Sequence, residues 1–107
     1  MRPAWRFHRD AVAALALAAG LVAGSAAAEG IDASLLAGTC ANCHGTDGRS
    51  PGTIPSIAGK PFAVLSAQLA AFKAGEAKGT TVMTRLATGF TDAELEALAR
   101  HFSQIEP

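Results

Sequence analysis

The sequence has few of the residues that usually build a small hydrophobic core. Its 107 residues contain no Tyr, one Trp and five Phe, and residues 29–107 retain only four of the Phe. A domain of that size is near the lower limit for a self-sufficient apolar core. Such domains usually need a disulfide, a metal or a bound group as well. We therefore expect one small domain, too short for a two-domain enzyme, organised around something other than aromatic side chains.

Excess positive charge is also absent. Nine Lys plus Arg balance nine Asp plus Glu, and residues 29–107 carry six basic and eight acidic side chains, a net charge of −2. Because the sequence has no basic run interleaved with aromatic residues, nucleic-acid binding has no electrostatic support. Strong steering toward an acidic partner is equally unexpected. The charge pattern instead favours weak, transient contacts or docking through an apolar rim.

The first 28 residues have the pattern of a secretory signal peptide. Arg2, Arg6 and Arg9 precede an apolar run at 11–24, and three alanines follow at 26–28. A basic start, an apolar stretch and small residues at the end are typical of a cleaved signal. Alanine and glycine make the run weakly hydrophobic for a membrane span. We predict a signal at 1–28, an exported, periplasmic domain at 29–107 and no stable membrane span after signal removal; an uncleaved anchor is the alternative.

The two cysteines lie in the segment Cys40-Ala41-Asn42-Cys43-His44. Two residues between the thiols, followed at once by histidine, form the attachment pattern for a c-type haem. On a helix, Cys40 and Cys43 share one face, so both sulfurs can add to the vinyl groups of one porphyrin while His44 binds the iron. The motif therefore predicts one covalently attached haem c.

Three other interpretations of the cysteines are weaker. A disulfide across two residues closes a small loop and stabilises a fold little. A thioredoxin-like redox pair needs alternating strands and helices, and the sequence has no β-rich run. A zinc site needs four ligands, and residues 29–107 offer only His44 and His101 beside the two thiols.

A haem iron in an electron carrier takes its second axial ligand from methionine or histidine. Met83 is the only methionine in residues 29–107, and it lies in the small, polar, loop-like stretch Gly79-Thr80-Thr81-Val82-Met83-Thr84. A gap-filling role in the core is the alternative for this side chain. His101 is the rival ligand, but it falls in the last helical pattern, where we expect it to face solvent. We favour His44 and Met83 as the iron ligands over His101 or an open iron site.

The loop at 45–60 is rich in glycine and proline. An iron-bound histidine normally donates its other ring proton to a carbonyl or carboxylate, which fixes its orientation. A backbone carbonyl from the Ile54-Pro55 region is the candidate acceptor for His44. The alternative is that Pro55 only stiffens the loop.

Three helical patterns predict an all-α fold with long loops. Asp32 is a suitable N-cap for a helix that reaches the cysteines. Pro61 suits the first turn of a second helix, for which Gly75 is a stop signal. The last helix opens with a capping box formed by Thr91 and Glu94.

Taken together, the segments CANCHGTDG, IPSIAGK, LAAFKAGE and FTDAELEALARHFSQI resemble class I cytochromes c. The resemblance extends from Leu35 to Ile105. Within the class the order is similar to the cytochrome c4 type and, more closely, to the cytochrome subunits of flavocytochrome c sulfide dehydrogenases. The closest part is GTTVMTRLATGFTDAELEALARHF.

The resemblance implies a fold and a set of site residues. The fold is a small class I cytochrome c fold, with about three to five helices around one haem. The first and last helices would pack together, with Leu35 or Leu36 and Gly38 meeting Leu98 and Phe102. The implied site comprises thioether bonds at Cys40 and Cys43, axial ligands at His44 and Met83, and the carbonyl of Pro55.

These features predict a periplasmic mono-haem cytochrome that carries single electrons and has no catalytic residue of its own. Electrons would enter and leave at the haem edge near Cys40 and Cys43. The resemblance implies a flavoprotein sulfide dehydrogenase as the electron donor, with this chain as its haem subunit. The alternatives are a freely diffusing carrier that serves an oxidase or another reductase, and a haem enzyme or gas sensor with an open iron site.

Overall fold

The computed structural model describes residues 30–79 and 82–107. The predicted signal peptide at 1–28 lies outside the described residues, as do Thr80 and Thr81. The described regular elements are all helical, which confirms the predicted fold class. They are α1 (Ala33–His44), a 3-10 turn (Thr46–Gly48), α2 (Phe62–Ala74), α3 (Met83–Ala87) and α4 (Asp92–Ser103). Within that part of the chain, no helix is long and apolar enough to cross a membrane.

Helix α1 begins where the sequence predicts. The Asp32 carboxylate accepts hydrogen bonds from the Ser34 amide at 3.0 Å and from the Ser34 hydroxyl at 2.5 Å, and the Leu35 amide lies 3.4 Å away. These donors, with the Ser34 hydroxyl contributing most, hold the pKa of Asp32 below its usual value near 3.8. Gly45, at a φ of 83°, ends the helix directly after His44. Asp32 and Gly45 therefore fix the two ends of α1 and place the cysteine motif at its C-terminal end.

The ends of α2 and α4 also follow local signals, with one small correction. Pro61 is the N-cap of α2 and not a residue of its first turn, while Gly75 ends the helix in the left-handed conformation at a φ of 72°. In α4 the capping box is complete, since Thr91 Oγ1 accepts from the Glu94 amide at 3.1 Å and Glu94 Oε2 accepts from the Thr91 amide at 2.8 Å. The Asp92 carboxylate also pairs with Lys73 of α2 at 2.8 Å.

Helix α3 was not predicted. The sequence indicated a loop-like stretch around Met83, whereas Met83 is the first residue of a five-residue helix. The Arg85 and Leu86 amides both donate to the Val82 carbonyl at 3.0 Å, which forms its first turn. A helix this short spans little more than one turn, so its apolar residues cannot repeat often enough to reveal a helical period.

The core lies between α1, α2 and α4. Its buried members are Ala37, Leu65, Leu95, Leu98, Ala99 and Phe102, and Leu36, Cys40, Ile57 and Phe62 are among the residues that pack against it. On the α1 side of this contact, Leu36 packs against the core as one of the expected residues, whereas Leu35 and Gly38 do not. Leu35 is 75% exposed, and a Cβ added at Gly38 would meet no heavy atom within 4 Å. Because successive helical residues are turned by about 100°, the face that carries Leu36, Ala37 and Cys40 directs Leu35 and Gly38 away from α4.

Candidate haem-attachment site

The last turn and a half of α1 carries all three residues of the attachment motif. Cys40 is half-buried against the core, whereas Cys43 is exposed. Residues three apart on a helix have Cβ atoms roughly 5–6 Å apart. The two cysteines therefore share one face of the helix, with Cys40 at the edge of the core.

The Cys40 thiol sits in a less polar environment than a thiol in water. Burial raises its pKa, and the Thr39 hydroxyl, 3.9 Å from the sulfur, only partly opposes this effect. Since a thiolate is disfavoured in apolar surroundings, the unmodified side chain is held as a neutral thiol. A neutral, half-buried sulfur is compatible with conversion to a thioether against the core.

His44 Nδ1 lies 2.6 Å from the carbonyl oxygen of Pro55. A carbonyl oxygen can only accept a hydrogen bond, so Nδ1 must carry the proton and donate it. Nε2 is then left with its lone pair and is the ring nitrogen suited to bind a metal. This contact joins the C-terminal end of α1 to the loop that follows it.

The loop is anchored by the carbonyl of Gly48. That oxygen accepts hydrogen bonds from the Ile57 amide at 2.8 Å, the Ala58 amide at 3.2 Å and the Ser56 hydroxyl at 2.8 Å. Gly48 is buried, with a φ of 75°, and a Cβ there would meet Ile57 at 2.7 Å and Phe102 at 2.9 Å. The sequence showed Gly48 only as one of several glycines in the loop, so its role depends on a contact with α4 that no local pattern reveals.

Met83 lies on a separate element. It is half-buried at the start of α3, and α3 packs against α2. On either side along the chain, Val82 and Leu86 are 59% and 47% exposed. Met83 is therefore flanked along the chain by two apolar residues that the described part of the protein leaves largely exposed.

His101 lies in a different part of the molecule. It lines an open groove together with Ile31 and Ala33, at the start of α1, and is half-buried there. Its ring also meets the edge of Phe102, with 5.2 Å between the ring centroids. From Ala33 to His44 the helix rises about 16 Å, so His101 neighbours the end of α1 opposite to His44. His101 is therefore partly exposed through this open groove, and its position offers no support for His101 as the second ligand.

The residues present fit a haem c. Two cysteines share one face of one helix, next to an imidazole whose hydrogen bond leaves Nε2 as the donor, and a thioether is available on α3. This set is typical of a c-type cytochrome with histidine and methionine ligands. Among residues 30–79 and 82–107, no group of three or more His, Cys, Asp or Glu could hold a metal ion by itself. The fold and the site thus define a small helical protein of the c-type cytochrome class.

A family model described as cytochrome c matches residues 32–106. The chain therefore belongs to the cytochrome c family. As a member of that family it is a mono-haem electron carrier with a covalently attached haem c.

Curated relatives extend the comparison. The chain is 42% identical over 71 residues to the cytochrome subunit of sulfide dehydrogenase from Chlorobaculum tepidum, which covers 66% of this chain and 64% of that protein. It is 37% identical over 72 residues to cytochrome c-554(548) from Halomonas halodenitrificans, covering 64% of this chain and 87% of the relative. A third relative, cytochrome c-552 from Acidithiobacillus ferridurans, is 32% identical over 66 residues, covering 62% of this chain and 28% of that protein.

Proposed function

We propose that Cys40 and Cys43 form the thioether bonds to the haem and that His44 and Met83 are its axial ligands. The observation that supports the His44 part of this assignment, on which the site depends, is the 2.6 Å hydrogen bond from His44 Nδ1 to the Pro55 carbonyl. It fixes the tautomer that an iron-bound histidine needs and increases the basicity of Nε2. When bound, the haem supplies the one-electron couple, and the chain supplies ligands, burial and orientation.

Electrons enter and leave at the cysteine end of α1. Cys43 is exposed and Cys40 only half-buried, so the protein covers this end of the site incompletely. His44 and Met83 would hold the iron in both oxidation states, which would keep the reorganisation that accompanies electron transfer small. With a net charge of −2 on residues 29–107, partners bind here through weak, transient contacts.

The proposed role is that of the periplasmic haem subunit of a flavin-containing sulfide dehydrogenase. It rests on the 42% identity to the cytochrome subunit of sulfide dehydrogenase. The flavoprotein would oxidise sulfide and pass single electrons to this chain. Export, the other part of the proposal, rests on the basic, apolar and small-residue segments at 1–28.

A freely diffusing electron carrier is the second candidate. It is favoured by the match to cytochrome c-554(548), of which the chain covers 87%. In this role the chain would exchange electrons with an oxidase or another reductase without forming a stable complex.

Substitution of Met83 tests the ligand assignment. Met83→Ala should keep the covalent haem, lower the reduction potential and open the iron to CO and cyanide, because a neutral, soft thioether favours reduced iron. His101→Ala is the matched control and should leave the spectrum unchanged. If the methionine-to-iron band of the oxidised protein survives in Met83→Ala, the assignment is wrong. Native protein that binds CO as readily as the variant would instead indicate an open iron site.

The partner is tested with the purified, haem-loaded chain and a flavoprotein sulfide dehydrogenase. Sulfide should reduce the haem only when the flavoprotein is present, and the two proteins should elute together in gel filtration. Reduction without co-elution would favour the freely diffusing carrier. No reduction at any flavoprotein concentration would contradict the sulfide dehydrogenase role and leave the ligand assignment intact.

A further inference from the structure

The hydroxyl of Ser56 lies directly beside the peptide that His44 contacts. Its Oγ donates a 2.8 Å hydrogen bond to the carbonyl of Gly48, eight residues earlier in the chain. Ser56 is an exposed residue of the loop, yet this bond is partly buried. The side chain therefore turns inward, although a surface serine could hydrogen-bond to water at little cost.

The acceptor of this bond is rigid. Gly48 is packed against Ile57 and Phe102, with no room for a Cβ. Its carbonyl also receives the amides of Ile57 and Ala58. The hydrogen bond to Gly48 therefore connects the Ser56 side chain to the core and, through Phe102, to α4.

The Pro55 carbonyl belongs to the planar peptide unit between the Cα atoms of Pro55 and Ser56. The orientation of that unit depends on ψ of Pro55 and φ of Ser56, since the proline ring already limits φ of Pro55. Residues 51–56 are exposed, so packing does little to hold the unit. The Ser56 hydroxyl adjoins this peptide unit and connects it to the carbonyl of the buried Gly48.

We propose that Ser56 is a positioning residue that sets the hydrogen bond from His44 to the Pro55 carbonyl, and through it the reduction potential. The inference rests on the proposed ligation of iron by His44. A shorter, better aligned bond makes the imidazole a stronger donor, which stabilises oxidised iron and lowers the potential. Loss of the Ser56 hydroxyl should weaken the bond and raise the potential.

The test compares Ser56→Thr with Ser56→Val in the haem-loaded protein, because the two side chains have similar shapes and only threonine keeps the hydroxyl. Ser56→Ala is the third variant. Ser103→Ala is the matched control, since the Ser103 hydroxyl also donates to a backbone carbonyl, that of Arg100 at 2.7 Å, but lies on α4. Measurements are the reduction potential and, by NMR of the reduced protein, the solvent exchange of the His44 Nδ1 proton.

Removal of the hydrogen-bond partner of a metal ligand typically lowers metal affinity or activity 10- to 100-fold. Ser56 acts on such a partner only indirectly, so its substitution should have a smaller effect. We expect Ser56→Val and Ser56→Ala to shift the one-electron equilibrium toward reduced iron about threefold, which is about 28 mV at 59 mV per tenfold. Exchange of the Nδ1 proton should become faster in both. Ser56→Thr and Ser103→Ala should match the native protein in both measurements.

Equal potentials and exchange rates in the threonine and valine variants would overturn the proposal, as would an equal shift in Ser103→Ala. A native protein in which His44 does not bind the iron would instead show that the ligand assignment fails. The spectrum of the native protein identifies that case before any variant is made.

Discussion

Substitution of Gly48 by alanine should destabilise the haem-loaded protein strongly. Gly48 has a φ of 75°, and an added Cβ would lie 2.7 Å from Ile57 Cγ1 and 2.9 Å from Phe102 Cδ1. Both distances are shorter than any ordinary carbon–carbon contact. Phe102 is a buried core residue, so it cannot move aside without disturbing the contact between α1 and α4.

Two costs add in this variant. The left-handed conformation costs a residue with a Cβ about 1–2 kcal/mol relative to glycine. Forcing an extra carbon into a packed core typically costs about 1–3 kcal/mol. Gly48→Ala should therefore lower the free energy of unfolding by roughly 2–5 kcal/mol, the sum of these two ranges.

Urea unfolding followed by far-UV circular dichroism measures this loss. Gly75→Ala is the matched control, because Gly75 has a similar φ of 72° but open space around its Cβ position. That control should show only the conformational cost, about 1–2 kcal/mol. If the two variants lose the same stability, the close approach of Gly48 to Phe102 does not contribute and the reasoning fails.

Three further predictions concern stability. Gly38→Ala should stabilise the protein by about 0.5–1 kcal/mol in thermal unfolding, since alanine is favoured inside a helix and its Cβ would meet open space; a loss of stability would restore the packing role expected from the sequence. Asp32→Asn should destabilise the protein at neutral pH, because the lowered pKa of Asp32 gives stability that is present above its usual value near 3.8 and is lost as pH falls. In urea titrations the difference from the native protein should shrink as the pH falls below 3.8 and vanish below the lowered pKa of Asp32, and a constant difference would contradict it. Finally, the chain made without haem should be largely unfolded by circular dichroism, and a compact, cooperative haem-free form would show that the cofactor is not needed for the core.

The sequence by itself predicted α1, α2, α4 and the haem-attachment motif, but it did not predict α3. The Asp32 cap, the Gly75 stop and the Thr91 capping box act through hydrogen bonds within five residues, so their residue types are sufficient to locate helix ends. The cysteine motif is equally local, because a three-residue separation on a helix sets the spacing of the two sulfurs. The sequence also offered the Ile54-Pro55 region as a candidate partner of His44, with a purely stiffening role for Pro55 as the alternative.

The tertiary structure decided what depends on the path of the chain between helices. Pro55 lies eleven residues beyond His44, and its carbonyl reaches the imidazole where the loop folds back and Gly48 lies close to Ile57 and Phe102. Contacts between residues so far apart in sequence depend on how the core packs. The type of one residue does not predict which distant residue it will contact. The same reason explains why the inward-facing Ser56 and the remote position of His101 emerged only from the folded structure.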